Sequence, residues 1–179
     1  PEQVAVARLL VDAAAIDAVV LSHAHIDHCG RLPLLRKRGF RGPIYATPAC
    51  RDLARILLAD SAFMAEREAE RYRRKQAEHG NRHARGFPDP LFTRVDADET
   101  IQQFKPVAYG HATEVLPGVT LIFRDAGHIL GSASVWLQLE EDGAHARIVF
   151  SGDVGQYDSP ILRDPDGSGT AGVVVMEST

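Results

Sequence analysis

Sulfur and long apolar runs are scarce in this chain, and each scarcity limits what the protein can be. Its two cysteines, Cys29 and Cys50, do not provide a disulfide framework, so a reducing, cytoplasmic environment is expected. A membrane-spanning helix needs roughly 18 or more consecutive apolar residues. The longest apolar candidate, residues 16–21, has only the length of a strand, and no membrane contact is expected.

Composition indicates an ordinary globular domain, and the two ends of the chain bear on whether that domain is complete. Hydrophobic residues make up 45% and charged residues 25% of the 179 residues, as in an ordinary soluble globular domain. The net charge of −4 argues neither for nor against a nucleic-acid partner. The chain begins at Pro1 without a methionine and stops shortly after the apolar run 173–175. We therefore interpret residues 1–179 as a domain that is incomplete at both ends.

The pattern of apolar residues predicts alternating helices and strands, followed by strands alone. The predicted elements are a helical segment at 4–15, a strand at 16–21, helices at 30–38, from 48 to about 76 and at 98–104, a strand at 44–46 and a loop at 79–90. Asp96 or Asp98 is expected to cap the last helix, and Thr47 followed by Pro48 to start the long one. Strands through 115–123, 134–139 and 147–150 then follow, with a turn at 140–143. This order predicts a mixed α/β sandwich.

Four side chains that can bind metal lie within six residues, directly after the first predicted strand. In an extended chain His23 and His25 face the same way and can hold one ion together. Asp27 and His28 follow where the chain bends, and suit a neighbouring second ion. Imidazole and carboxylate donors without thiolate fit Zn²⁺, with Mn²⁺ or Fe²⁺ as rivals. A histidine-rich surface tract is the alternative, and the buried strand that leads into the cluster argues against it.

Two more candidate ligands lie at strand ends beside glycines. His128 stands between Gly127 and Gly131, which permit a sharp turn, and is expected to be the third histidine of the first ion. Asp153 follows the strand at 147–150, and its two oxygens could bridge two ions roughly 3.5–4 Å apart. An ordinary turn aspartate is the alternative for Asp153.

Taken in order, these motifs resemble those of a known family. The sequence His23-x-His25-x-Asp27-His28, then His128, then Asp153 is similar to motifs two, three and four of the metallo-β-lactamase superfamily. The segments GHILGSA at 127–133, FSGD at 150–153 and MEST at 176–179 resemble its β-CASP branch, the nucleic-acid-processing hydrolases. The match runs from about residue 16 to residue 179.

The resemblance implies a fold and a domain arrangement. The implied fold class is α/β, a metallo-β-lactamase-type αββα sandwich that is incomplete at both ends. Residues 1–179 would be a fragment of this domain with a long helical insertion at about 48–105. A β-CASP domain is expected after residue 179.

The resemblance also implies a role for each candidate ligand. His23, His25 and His128 would hold the first zinc ion, Asp27 and His28 the second, and Asp153 both. A hydroxide activated by the two zinc ions would attack a phosphodiester phosphorus, so that Asp27 and Asp153 also serve catalysis.

Glu177 matches the family's acidic residue that orients a general-acid histidine of the β-CASP domain; an exposed glutamate is the alternative. The aspartate of the family's first motif and the histidines that complete the second site are expected outside residues 1–179. We therefore expect this chain by itself to hold the second ion weakly and to be inactive or poorly active.

The expected function is that of a metal-dependent hydrolase that cleaves RNA, as an endo- or exoribonuclease in RNA processing or decay. A DNA-processing nuclease of the same branch is the first alternative. A small-molecule hydrolase of the thioesterase or lactonase type and a non-catalytic scaffold subunit are the others. RNA is the expected partner, and a homodimer is left open.

Other polar residues give weaker signals. Positive charge concentrates in residues 67–85, but interleaved glutamates favour a solvated, ion-paired helix over nucleic-acid contact. The remaining histidines, His79, His83, His111 and His145, are predicted to be surface residues. Cys29 is predicted to be a buried thiol.

Overall fold

Two β-sheets form the framework of the domain. The computed structural model describes residues 12–78, 89–167 and 169–178. The first sheet has three parallel strands in the order β1 (Val19–Val20), β2 (Ile44–Ala46), β3 (Phe104–Pro106). The second sheet has five strands in the order β4 (Thr113–Leu116), β5 (Val119–Asp125), β6 (Ala133–Glu141), β7 (Ala144–Phe150), β8 (Val173–Val175). The strands from β4 to β7 are antiparallel neighbours, and β8 runs parallel to β7.

The described helices pack on the outer side of the first sheet. They are α1 (Ile26–Cys29), α2 (Leu32–Lys37), α3 (Pro48–Glu78) and α4 (Arg94–Ile101). Cys50, Ala54, Leu58 and Ala62 recur every four residues on one face of α3, and each is fully buried. These mostly small side chains bring the helix close to the sheet, where they form one apolar core with β2 and β3.

A second core lies between the two sheets. Because successive side chains of a strand face opposite sides, Ile44 and Ala46 of β2 face the helices while Tyr45 faces the second sheet. Tyr45 packs there against a cluster that includes Leu121 and Phe123, both fully buried. The layers are therefore helices, three-stranded sheet and five-stranded sheet, and the predicted mixed α/β sandwich is confirmed.

The outer face of the five-stranded sheet carries loop residues in the part of the chain that the structure describes. Gly169 lies against the ring of Trp136 on this face, and Arg124 stacks on the same ring at 4.2 Å.

None of the described helices combines the length and apolar character that a membrane span requires.

Some predicted boundaries were wrong. The first strand is Val19–Val20 and not residues 16–21. The helix predicted at 98–104 is α4, which begins earlier, and Phe104 belongs to β3. Its cap is Thr93, not Asp96 or Asp98: the Thr93 hydroxyl oxygen accepts the amide N–H of Asp96, and the Asp96 carboxylate accepts that of Thr93 at 2.8 Å. Asp96, three positions after the cap, completes a capping box. The sequence prediction took this acidic residue for the cap itself.

Other predicted helices and loops are confirmed in part, or fall outside the described residues. The helix predicted at 30–38 is α2, and the additional helical turn α1 within the histidine cluster was not predicted. The long helix is confirmed as α3. Residues 13–15 form a 3-10 turn, whereas residues 4–11 of the first predicted helix and 79–88 of the predicted loop lie outside the described residues.

Candidate metal centre

Loops that follow the strands meet at one edge of the sandwich. The strands β5, β7 and β8 run in the same direction, as do β1 and β2, so their carboxyl ends gather there. The amide of Ala133 donates to the carbonyl oxygen of Ser22 at 2.9 Å, which joins the second sheet to the segment after β1. This bond places the loop that carries His128 beside His23 and His25.

Four side chains converge on one point at this edge. Ligand atoms of His23, His25, His128 and Asp153 all lie within 4.8 Å of one another. Nδ1 of His25 is 3.2 Å from Nε2 of His23 and 3.2 Å from Nε2 of His128. Oδ2 of Asp153 is 3.4 Å from each of the same two Nε2 atoms. The structure thus brings together all four residues predicted for the first ion.

The distances between neighbouring donors fit a shared cation better than hydrogen bonds among the rings. Neighbouring ligand atoms about 2.0–2.1 Å from one ion can stand about 3.3–3.4 Å apart, close to the observed distances of 3.2 Å and 3.4 Å. Nδ1 of His25 can make one hydrogen bond, as donor or as acceptor, yet two ring nitrogens approach it equally. Three imidazoles and a carboxylate are also donors that divalent metals accept.

Asp27 and His28 form a second group with the other oxygen of Asp153. Nε2 of His28 lies 3.4 Å from Oδ1 of Asp153 and 3.6 Å from Oδ2 of Asp27. The Asp153 carboxylate therefore stands between the two groups, with one oxygen in each. The second group is more open, since 75% of the Asp27 side chain is exposed against 20% for Asp153.

Burial keeps the ring of His23 neutral. Its side chain is 1% exposed, and burial, reinforced by the neighbouring His28, lowers its pKa to about 4. Oγ of Ser22 lies 3.1 Å from Nδ1 of His23 and holds the ring so that Nε2 faces the first group. A neutral ring offers the lone pair that a metal needs.

The thiol of Cys29, next to this cluster, faces away from it. Cys29 is fully buried, and its Sγ donates to the carbonyl oxygen of Ala24 at 3.2 Å. Burial raises the pKa of this thiol to about 11. The prediction of a buried thiol is confirmed.

Glu177 lies beside the second group. Its Oε1 accepts the amide N–H of Val154 at 3.4 Å, and its own amide donates to Oγ of Ser151 at 3.4 Å. Glu177, Asp153 and His28 line one cavity of about 470 Å³. The carboxylate is therefore within the same opening as the second group.

Three residues that hold the loop of His128 were not predicted for the site. Thr47 donates to the carbonyl oxygen of Gly131 at 2.6 Å, Tyr109 donates to that of Ser132 at 2.7 Å, and Oγ of Ser132 accepts the amide of His128 at 3.0 Å. Thr47 was predicted only as a helix cap. Its contact joins positions 84 residues apart, which no local pattern reveals.

The other histidines and the charged segment of α3, which gave weaker sequence signals, are not among the residues of the two metal groups. His111 and His145 are exposed, as predicted, and His79 and His83 lie outside the described residues. On α3, Arg73 pairs with Asp89 at 3.0 Å, and Arg71, Arg74 and Lys75 are exposed. Nucleic-acid contact by this helix stays the less favoured alternative.

Comparison with known proteins gives a family and several relatives. The model of the Beta-lactamase superfamily domain matches residues 2–176. Ribonuclease TTHA0252 of Thermus thermophilus is 34% identical over 168 residues, which are 94% of this chain and 33% of that protein. Transcription termination factor FttA of Methanosarcina mazei is 37% identical over 150 residues, which are 84% of this chain and 20% of that protein.

A solved structure, Rm3 metallo-beta-lactamase, is 18% identical, with a TM-score of 0.43 over 77% of this chain and 41% of that chain. The chain thus spans a third or less of the length of the two curated relatives.

Proposed function

The chain belongs to the beta-lactamase superfamily, and from that premise we propose that it carries the metal centre of a hydrolase that cleaves phosphodiester bonds in RNA. The resemblance predicted from its motifs is confirmed. The observation that carries the proposal is the position of Asp153, whose two oxygens lie 3.4 Å from histidines of two separate groups. The relatives named ribonuclease and transcription termination factor support RNA as the substrate.

The side chains divide into ligands of two ions. We assign His23, His25 and His128 to the first, Asp27 and His28 to the second, and Asp153 to both. Imidazole and carboxylate donors without a thiolate favour Zn²⁺, with Mn²⁺ and Fe²⁺ as alternatives. Two such ions, when bound, lower the pKa of a shared water and offset charge on the phosphate oxygens.

The residues of the chain supply the geometry for this chemistry. Asp153 sets the separation of the two groups, and burial, which lowers the pKa of His23, keeps that ring neutral and able to bind a cation. The exposed side of the second group, at Asp27, leaves room for a phosphate. These positions suit a substrate that approaches from the open edge of the sandwich.

We further propose that a β-CASP domain follows residue 179 and completes the active site. The carboxylate of Glu177, in the cavity beside Asp153, would orient a histidine of that domain as general acid. The share of the relatives that this chain spans is consistent with such a division. Because both described cysteines are free and buried, we place the activity in the cytoplasm.

The test uses the whole protein that contains this chain, loaded with Zn²⁺. End-labelled RNA, single-stranded DNA of the same sequence and a lactone are offered to the wild type and to the Asp153→Asn and His145→Ala variants. His145 is the control because its side chain is 70% exposed and lies outside the site. RNA cleavage should fall by at least about 100-fold in Asp153→Asn, since a catalytic metal contributes several kcal/mol, and should be unchanged in His145→Ala.

The substrates separate the alternatives. Faster cleavage of DNA than of RNA would assign a DNA-processing nuclease, and turnover of the lactone alone would assign a small-molecule hydrolase. A zinc-loaded protein that cleaves none of them would be a scaffold subunit. Equal RNA cleavage by Asp153→Asn and wild type would overturn the proposed two-metal chemistry.

A further inference from the structure

The loop that carries His128 is held from outside by two hydroxyl groups. Oγ1 of Thr47 donates to the carbonyl oxygen of Gly131 at 2.6 Å, and the hydroxyl of Tyr109 donates to that of Ser132 at 2.7 Å. The two donors come from different parts of the chain, one between β2 and α3 and the other between β3 and β4. Neighbouring carbonyls of one turn are thereby fixed from two directions.

The turn itself is closed and transmits this restraint to His128. Oγ of Ser132 accepts the amides of His128 at 3.0 Å and Ile129 at 3.2 Å, and the amide of Ser132 donates to the carbonyl oxygen of Ile129 at 3.0 Å. A displacement of Gly131 or Ser132 therefore moves the backbone of His128. The imidazole of His128 is 3.2 Å from that of His25, so such a movement would open the first group.

Thr47 has a structural role that must be separated from this one. Its Oγ1 also accepts the amide of Cys50 at 3.2 Å, as a helix cap does. Capping uses a lone pair of the hydroxyl oxygen and leaves its proton free to be donated to Gly131. Thr47 is 1% exposed, so no water is at hand to replace either bond if the hydroxyl is removed.

Tyr109 is a donor throughout the pH range in which the site would work. Burial raises the pKa of its phenol well above the ordinary value. Its hydroxyl also interacts with the Thr47 side chain, but Tyr109→Phe leaves in place the Thr47 hydroxyl that caps α3.

We propose that Thr47 and Tyr109 are positioning residues that hold His128 where it completes the first metal group. The proposal rests on the proposed function in that it requires His128 to be a metal ligand. It assigns a role to the start of α3 beyond helix capping: the hydroxyl of Thr47, which caps the helix, also fixes the position of a ligand in the loop between β5 and β6.

The experiment measures zinc affinity of the chain by competition with a chromophoric chelator, with the visible spectrum of bound Co²⁺ as a second readout of coordination. Thr47→Val and Tyr109→Phe should each weaken Zn²⁺ binding by about tenfold or more, as removal of an outer hydrogen bond to a metal site does. They should also change the Co²⁺ spectrum. Thr47→Ser retains the hydroxyl and should bind zinc within about threefold of wild type, well short of that loss.

Thr100→Val is the matched control. Thr100 is also fully buried, and its Oγ1 donates to the carbonyl oxygen of Asp96 at 2.7 Å, within α4 and away from the metal group. This variant loses a comparable bond and should lower the melting temperature while leaving zinc affinity unchanged.

The outcomes separate positioning from stability. If Thr47→Val and Tyr109→Phe bind zinc as the wild type does, their hydroxyls are merely structural and the proposal is wrong. Equal loss of affinity in Thr100→Val would attribute the effect to general destabilisation and also overturn it. If Thr47→Val does not fold, Tyr109→Phe decides. If the wild type binds no zinc, the proposed metal centre itself fails, and the positioning role with it.

Discussion

At Gly131 a single added methyl group should disturb both the stability of the domain and the metal centre. This residue has φ +80°, and a Cβ on it would lie 2.4 Å from the amide nitrogen of Cys50 and 2.8 Å from Oγ1 of Thr47. The left-handed conformation costs a residue with a Cβ about 1–2 kcal/mol. Pushing the loop away from the start of α3 adds about 1–3 kcal/mol, as overpacking generally does. Gly131→Ala should therefore lower the free energy of unfolding by about 2–5 kcal/mol.

Gly143→Ala is the control for this change. Gly143, in the turn between β6 and β7, has φ +78°, but beyond its chain neighbours no atom of the described residues lies within 4 Å of the added Cβ. It should lose only the conformational term of about 1–2 kcal/mol. Urea denaturation measures both variants, and chelator competition measures their zinc affinity, which should fall about tenfold in Gly131→Ala alone. Equal unfolding free energies in the two variants, or wild-type zinc affinity in Gly131→Ala, would refute the reasoning.

Four further predictions concern α4, the thiols and the second group. Thr93→Ala removes the capping box of α4 and should lower the unfolding free energy by about 1 kcal/mol in urea denaturation; an unchanged midpoint would speak against the cap. Cys29 and Cys50 should react with a thiol reagent at pH 8 only after unfolding, because burial raises their pKa to about 11 and about 12, and rapid labelling of the folded chain would contradict this. Since these pKa values exceed the reference of 9.0, the folded chain keeps its thiol protons longer, so the contribution of the thiols to stability should be constant below pH 9 and be lost as pH rises through about 11. Asp27→Ala should abolish binding of a second ion and retain the first, whose four donors do not include Asp27, and loss of the tightly bound zinc in native mass spectrometry would contradict the assignment.

The parts of the site that were predictable from the sequence are those encoded in short segments. His23, His25, Asp27 and His28 have characteristic spacing after an apolar strand, and their separation into two groups follows from that spacing. The position of Asp153 between the groups depends on the pairing of β7 with its neighbours. A strand end beside glycines suggested Asp153 as a bridging carboxylate, and the family resemblance then assigned it to both ions.

Features that depend on tertiary contacts were missed. Phe104 was predicted to end the helix at 98–104, yet it pairs with Ile44 in β3, and sheet pairing overrides the local preference. The contact of Thr47 with Gly131 likewise exists only once the start of α3 lies beside the loop between β5 and β6.

The measurement that tests the central claim most directly is the zinc content of the chain and of its His25→Ala and His145→Ala variants after equilibration with limiting Zn²⁺. His25 lies at the middle of the first group, 3.2 Å from two other ring nitrogens, whereas His145 is exposed and outside it. The proposed metal centre predicts one tightly bound ion in the wild type and in His145→Ala, and none in His25→Ala. A wild-type chain without zinc, or a His25→Ala chain that retains it, would contradict the account.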